Sequence, residues 1–125
     1  MIEVKNATVL ASLLEWSYHH KLIMLVLWVL KRHLKIYITE GHRLALHADD
    51  LHATNPTRAM DCRSWIFKFP RKVKQDVDDN WIYDPERLEL SCCVYHRVGL
   101  GGWHFHFQVC GCTVYKPGWR KWRDL

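Results

Sequence analysis

Apolar positions along the chain follow two distinct rhythms. Between residues 7 and 20, Val9, Leu10, Leu13, Leu14 and Tyr18 recur mostly three and four apart, the period of a helix. Over residues 21–33, Leu22, Leu25, Val26, Val29 and Leu30 fall on one stripe with Trp28 beside it. That predicts a mostly buried second helix, or a continuation of the first. The period then drops to two: Leu34, Ile36 and Ile38 alternate with Lys35, Tyr37 and Thr39, a short strand closed by Gly41. Residues 42–58 hold no rhythm and read as a long loop with at most one helical turn, ending near the turn signal Asn55-Pro56-Thr57.

Ala59–Arg63 predicts a further strand. Lys68–Asn80, with Pro70 near its start and Val73 and Val77 four apart, predicts an exposed helix. Trp81-Ile82-Tyr83 is a short apolar segment stopped by Asp84-Pro85. Leu88–Val98 and Trp103–Val109 flank Gly99-Leu100-Gly101-Gly102 and predict a hairpin. The tail 113–125, with Trp119 and Trp122 among its basic residues, reads as peripheral. The order helix, strand, loop, strand, helix, hairpin is that of an α+β fold: a small, mostly antiparallel sheet with helices on one face.

Composition narrows this picture. A chain of 125 residues that is 49% hydrophobic can form one domain with its own core, which excludes a disordered chain. The longest apolar run, Leu22 to Leu30, is far short of the roughly 20 residues of a membrane span. No signal-peptide pattern is visible, so the expectation is synthesis in a cytoplasm. The net charge of +5 favours polyanionic partners, whether nucleic acid, anionic lipid or cell-wall polymer. An odd set of cysteines (Cys62, Cys92, Cys93, Cys110, Cys112) points to reduced thiols rather than disulfides. The last four fall at the open end of the predicted hairpin. Buried apolar thiols are the simpler reading there, ahead of a structural zinc site. Trp65 and Trp81 read as core anchors, and His19, His20 and His33 as solvated helix residues.

Candidate chemistry concentrates in the second hairpin strand. Trp103, Phe105, Phe107 and Val109 alternate with His104, His106 and Gln108, so the polar three share one face. Residues two apart in a strand are about 6.6 Å apart, close enough for two imidazoles to serve one small site. One could bind a metal while the other handles a proton. The segment from Gly41 to Arg63 supplies partners: His42, His47, Asp49, Asp50, His52 and Asp61. A loop histidine, a strand aspartate and a hairpin histidine would complete the three ligands of a catalytic zinc site, with an open position for water.

Three segments resemble zinc D-alanyl-D-alanine carboxypeptidase-like peptidases, which include bacterial cell-wall peptidases and phage endolysins and share the hedgehog-type fold. Ile38-Thr39-Glu40-Gly41-His42-Arg43 looks like the family's T-S-G-Y-R segment. His52 followed by Arg58-Ala59-Met60-Asp61 resembles S-x-H-x-x-G-x-A-x-D, and Trp103-His104-Phe105-His106 resembles the closing H-x-H strand. They occur in the family's order. The resemblance implies His52, Asp61 and His106 as zinc ligands, His104 as the catalytic residue beside the metal, and Arg43 as the substrate-binding residue. Eight residues separate His52 from Asp61 where the family has about six, the surplus lying around Asn55-Pro56. Asp50 replaces the family's serine. Trp103 stands where many members carry an acid, and His104 is the residue that would take over its task, with Glu40, Asp49 and Asp50 as other sources of a base.

The expected function is therefore zinc-dependent hydrolysis of peptide bonds in peptidoglycan stem peptides, by a protein made in a host cytoplasm and acting on the bacterial cell wall. A zinc-fold binding module without turnover is one alternative. The other is a nucleic-acid binder that uses the basic, tryptophan-rich tail.

Overall fold

A computed structural model describes residues 1–97, 99 and 101–118. In chain order the elements are β1 (Ile2–Val4), α1 (Ala7–Glu15), α2 (His20–His33), β2 (Ile36–Glu40), a single 3₁₀ turn (Leu51–Ala53), β3 (Ala59–Arg63), α3 (Pro70–Asn80), β4 (Trp81–Ile82), β5 (Cys93–Arg97), β6 (Trp103–Gln108) and β7 (Val114–Tyr115), with a last 3₁₀ turn at Lys116–Gly118. The five-stranded sheet has the order β1-β2-β3-β6-β5. Only β1 and β2 run parallel; the other pairs are antiparallel. The α+β class and the mostly antiparallel sheet match the pattern read from the sequence. No helix among the described residues is long and apolar enough to cross a membrane.

The helix ends follow local chemistry. The Asn6 side chain caps α1 by accepting from the Val9 amide at 3.0 Å. The continuous helix predicted from residue 7 to 20 is instead broken: α1 ends at Glu15, and α2 starts anew where the His19 ring caps the Lys21 amide. Between them the backbone leaves the helix and Tyr18 forms a bridge with Thr57, so the first loop is tied to the site-bearing loop. α2 stops at Leu34, which takes the left-handed conformation (φ 70°) usually left to glycine. Pro70 opens α3 at a position where its missing N–H costs nothing.

One face of the sheet carries the core. Ile36, Ile38, Met60, Cys62, Cys93, Phe105 and Phe107 are buried there against Leu22, Leu25 and Val29 of α2 and Val73 and Val77 of α3. Each fully buried residue of this size contributes roughly 1.5–3 kcal/mol over exposure.

Several expectations require correction. β1 was not foreseen; three residues are too few to show a period, and it is held by its parallel register with Ile36–Ile38. β5 begins only at Cys93, and Leu88 is exposed because residues 84–90 form turns. Trp81 is buried as expected, but Trp65 is 66% exposed and lies beside the Arg63 guanidinium, 5.0 Å from its ring centre. His33 is not free in solvent: its Nε2 lies 2.8 Å from Asp76 Oδ2. The start of the tail is integral, since Thr113 is buried and Val114–Tyr115 pairs with β4. The remainder, with Trp119 and Trp122, lies outside the described residues.

Candidate metal centre

The opposite face of the same sheet is polar, and its register assembles a site. In the β3–β6 ladder Asp61 faces His106, Arg63 faces His104 and Ala59 faces Gln108. Residues opposite each other in an antiparallel pair lie on the same side, so these side chains share a surface. On the other flank of β6, β5 sets Val94 opposite His106 and His96 opposite His104. In β2 the register slips: Ile38 pairs with Cys62, yet Glu40 pairs with Asp61. The extra residue keeps Ile38 in the core and turns Glu40 to the polar side.

The unpatterned loop delivers the third member. Asp50 is buried, and its carboxylate accepts from the amides of Leu46 (3.0 Å) and His52 (3.0 Å) and from Arg43 Nη2 (3.2 Å). Burial alone would raise this carboxyl, but the Leu46 and His52 amides and Arg43 outweigh it and hold it below its ordinary value. The 3₁₀ turn that follows carries His52 inward, where it is 2% exposed. Gly41 also has to be small. A Cβ there would collide with the Tyr18 hydroxyl and come within 2.7 Å of Ser12 Oγ.

Three donor atoms converge. His52 Nε2 lies 3.2 Å and His106 Nδ1 2.9 Å from the same oxygen, Asp61 Oδ1. The outer nitrogen of each ring is fixed from behind. The Gly41 carbonyl can only accept, so His52 Nδ1 donates to it at 2.8 Å. Gln108 donates through Nε2 to Ser91 O, leaving its Oε1 to accept from His106 Nε2 at 3.1 Å. Each inner nitrogen therefore faces the acidic oxygen, donating to it when it carries a proton and presenting a lone pair to a metal ion when it does not. Three acceptors facing one another repel unless a proton or a metal ion lies among them.

The spacing suits a metal: the three donor atoms fall within 4.8 Å of one another. The two ring centres are 5.2 Å apart, and two imidazoles on one tetrahedral ion with bonds of about 2 Å sit roughly 5 Å apart. Burial pushes the Asp61 carboxyl up, but contacts with His106 and His52 outweigh it and hold the group well below the usual carboxylate range. It is ionised and ready to ligate.

These residues line a cleft of about 820 Å³ together with His104, His96, Arg43 and Arg58. Burial lowers the basicity of His104, helped by His96, His106 and His52 and opposed by Asp61, which favours the neutral ring. Arg43 is in the cleft as expected, but its charge is divided among Asp50 Oδ2 (3.2 Å), Glu40 Oε2 (3.6 Å) and Asp61 Oδ2 (3.9 Å). Of the other loop histidines, His47 lines the cleft, whereas His42 is used elsewhere. Its ring stacks on Trp16 at 3.6 Å and bonds Thr57 Oγ1. Trp103 points to the apolar side and packs on Tyr95, with ring centres 4.9 Å apart.

Two residues escaped sequence reasoning. His96 meets His104 edge-on with ring centres 4.4 Å apart, and its buried Nε2 has no partner among the described residues. The alternation of Cys93 and Tyr95 with Val94 and His96 in β5 was the available signal. Arg58 is pinned by bonds from Nε to Val109 O (2.9 Å) and from Nη2 to Tyr83 Oη (3.0 Å), and it makes no ion pair among the described residues. The resemblance drew attention to the Asp61 it precedes and not to Arg58 itself. Comparison of the chain with protein-family models, curated proteins and solved structures finds no match.

Proposed function

We propose that this chain is a zinc-dependent peptidase that hydrolyses peptide bonds in peptidoglycan stem peptides, made in a host cytoplasm and acting on the bacterial cell wall. The observation that carries the reading is the convergence of His52 Nε2, Asp61 Oδ1 and His106 Nδ1 with both outer ring nitrogens already bonded. Two imidazoles and one carboxylate, with an open side toward the cleft, are the donor set of a hydrolytic zinc site. Zinc held there would polarise a carbonyl and make water acidic near neutral pH. In its neutral form His104, in the same cleft, accepts a proton from the attacking water and returns one to the leaving amine. Arg43 and Arg58 offer planar donors that orient the peptide. The substrate class draws on the three family-like segments in order, and the +5 charge suits an anionic wall.

A second reading, a zinc-binding module without turnover, draws on Trp103, which occupies a position where an acid is often found and faces away from the cleft. An anomalous diffraction map at the zinc edge, on protein purified without chelator, separates zinc binding from its absence. A peak among His52, Asp61 and His106 is expected, with hydrolysis of stem peptides that His104→Ala abolishes while zinc is retained. Zinc without hydrolysis by the unaltered protein selects the binding module. No peak at these three residues after soaking in zinc rejects both.

A further inference from the structure

Outside the cleft, the Cys110-Gly111-Cys112-Thr113 segment folds into a tight turn. The Thr113 amide donates to Cys110 O at 3.2 Å, and the Cys110 amide donates to Thr113 Oγ1 at 2.9 Å. The Thr113 hydroxyl in turn donates to Tyr83 O at 2.8 Å, clamping the turn onto the chain just before Asp84. As a result Cys110 Sγ, Cys112 Sγ and a carboxylate oxygen of Asp84 lie within 4.8 Å of one another. Cys110 is buried and Cys112 exposed, so the cluster opens to solvent on one side. Lys21 Nζ lies 2.6 Å from Gly111 O and 2.7 Å from Thr113 O, which sets a positive charge on the same turn.

We propose that Cys110, Cys112 and Asp84 form a second metal site, for a thiophilic divalent ion of the zinc type, separate from the His52–Asp61–His106 centre and independent of the function proposed for it. Two thiolates and a carboxylate suit zinc or cadmium and disfavour magnesium or calcium. The Asp84 carboxylate accepts from the Glu86 amide and Arg87 Nε, which uses about two of its four lone-pair positions and leaves room for a metal. On binding, each thiol releases its proton to solvent and no electrons are transferred. Cys110 gives up its 3.0 Å bond to Tyr83 O. The Lys21 charge favours the two thiolates, and the Thr113 clamp has already ordered the turn. Water completes the coordination. The ion would staple the end of β6 to the segment that follows β4, next to the pairing of β4 with β7.

The four-cysteine cluster considered from the sequence is not what assembles. Cys92 and Cys93 remain in the core, and Asp84 takes their place.

Cobalt(II) titration of the reduced, full-length chain tests the site. The expected result is a near-ultraviolet thiolate-to-cobalt charge-transfer band. Cys112→Ser, at an exposed position that leaves the core intact, abolishes the band, weakens cobalt binding at this site at least tenfold and removes one cadmium equivalent per chain. His52→Ala leaves the band in place, so failure of the His–Asp centre is read separately. The absence of a band in the unaltered chain overturns the proposal. So does a band that survives Cys112→Ser, or one that is lost in His52→Ala.

Discussion

Asp61 and Cys62 are neighbours in β3, yet they live in opposite worlds. Asp61 faces the cleft, where burial raises its carboxyl but His106 and His52 hold it well below the ordinary range. Cys62 faces the core, where burial pushes its thiol well up, with further push from the charge on Asp61. A single backbone step separates an ionised carboxylate from an inert apolar filler. The same holds across the ladder, with Phe105 and Phe107 on one side and His104 and His106 on the other. The core face sets the register, and the register sets the geometry of the candidate metal centre. A one-residue slip would exchange every side chain between the two faces.

The two faces should differ most in the energy lost when a side chain is removed. Phe107 is fully buried against the helices, so Phe107→Ala should cost about 3–5 kcal/mol of folding stability in chemical denaturation. His106→Ala, one step away on the half-exposed face, should cost metal-free protein much less. The next effect has the opposite dependence. In a Cys112→Ser background, which lacks the second proposed site, zinc at about 100 times its dissociation constant should stabilise the chain by about 2.7 kcal/mol, and His106→Ala should remove most of that gain. If zinc stabilised both proteins equally, the polar face would not be a metal centre.

The two faces were not equally legible in the sequence. The alternation of β6 was plain because its aromatics and its polar residues each keep strict period two. The assembly of His52, Asp61 and His106 was reached only through resemblance, because His52 comes from a loop without period, placed by Asp50 and Gly41 through bonds that no spacing announces. His96 was missed for a related reason. Its role follows from pairing with His104 across the hairpin, and pairing is a tertiary fact. Trp65 was misjudged because a large indole was assumed to need burial, whereas here it covers an arginine at the surface. Arg43 matched the expected segment, but its neighbours Glu40 and Asp50 were not seen as its partners.

The loop and the sheet can be uncoupled at Gly41. Its carbonyl holds His52, while its missing Cβ makes room for the Tyr18 hydroxyl and Ser12. Gly41→Ala should cost about 1–3 kcal/mol through overpacking. It should also weaken zinc binding, because the carbonyl that aims His52 must shift. A calorimetric titration that found unchanged zinc affinity in a destabilised Gly41→Ala protein would show that His52 is aimed by Asp50 alone.

The smallest effect concerns the thiols, and it tests the core face chemically. Burial pushes the Cys92 thiol up to about 12, with a smaller opposing effect from Thr113, and it raises Cys62 and Cys93 as well. At pH 8 a thiol of that acidity is ionised in about one molecule in ten thousand, and only the thiolate alkylates readily. Cys112 is exposed. Brief iodoacetamide treatment of the native chain, read by peptide mass mapping, should therefore label Cys112 and leave Cys62, Cys92 and Cys93 intact. Denaturant should make them all react. Equal labelling of Cys62 and Cys112 in the native state would mean that the face behind Asp61 opens to solvent. The difference between the neighbours Asp61 and Cys62 would then lie in their chemistry alone, not in two separate environments.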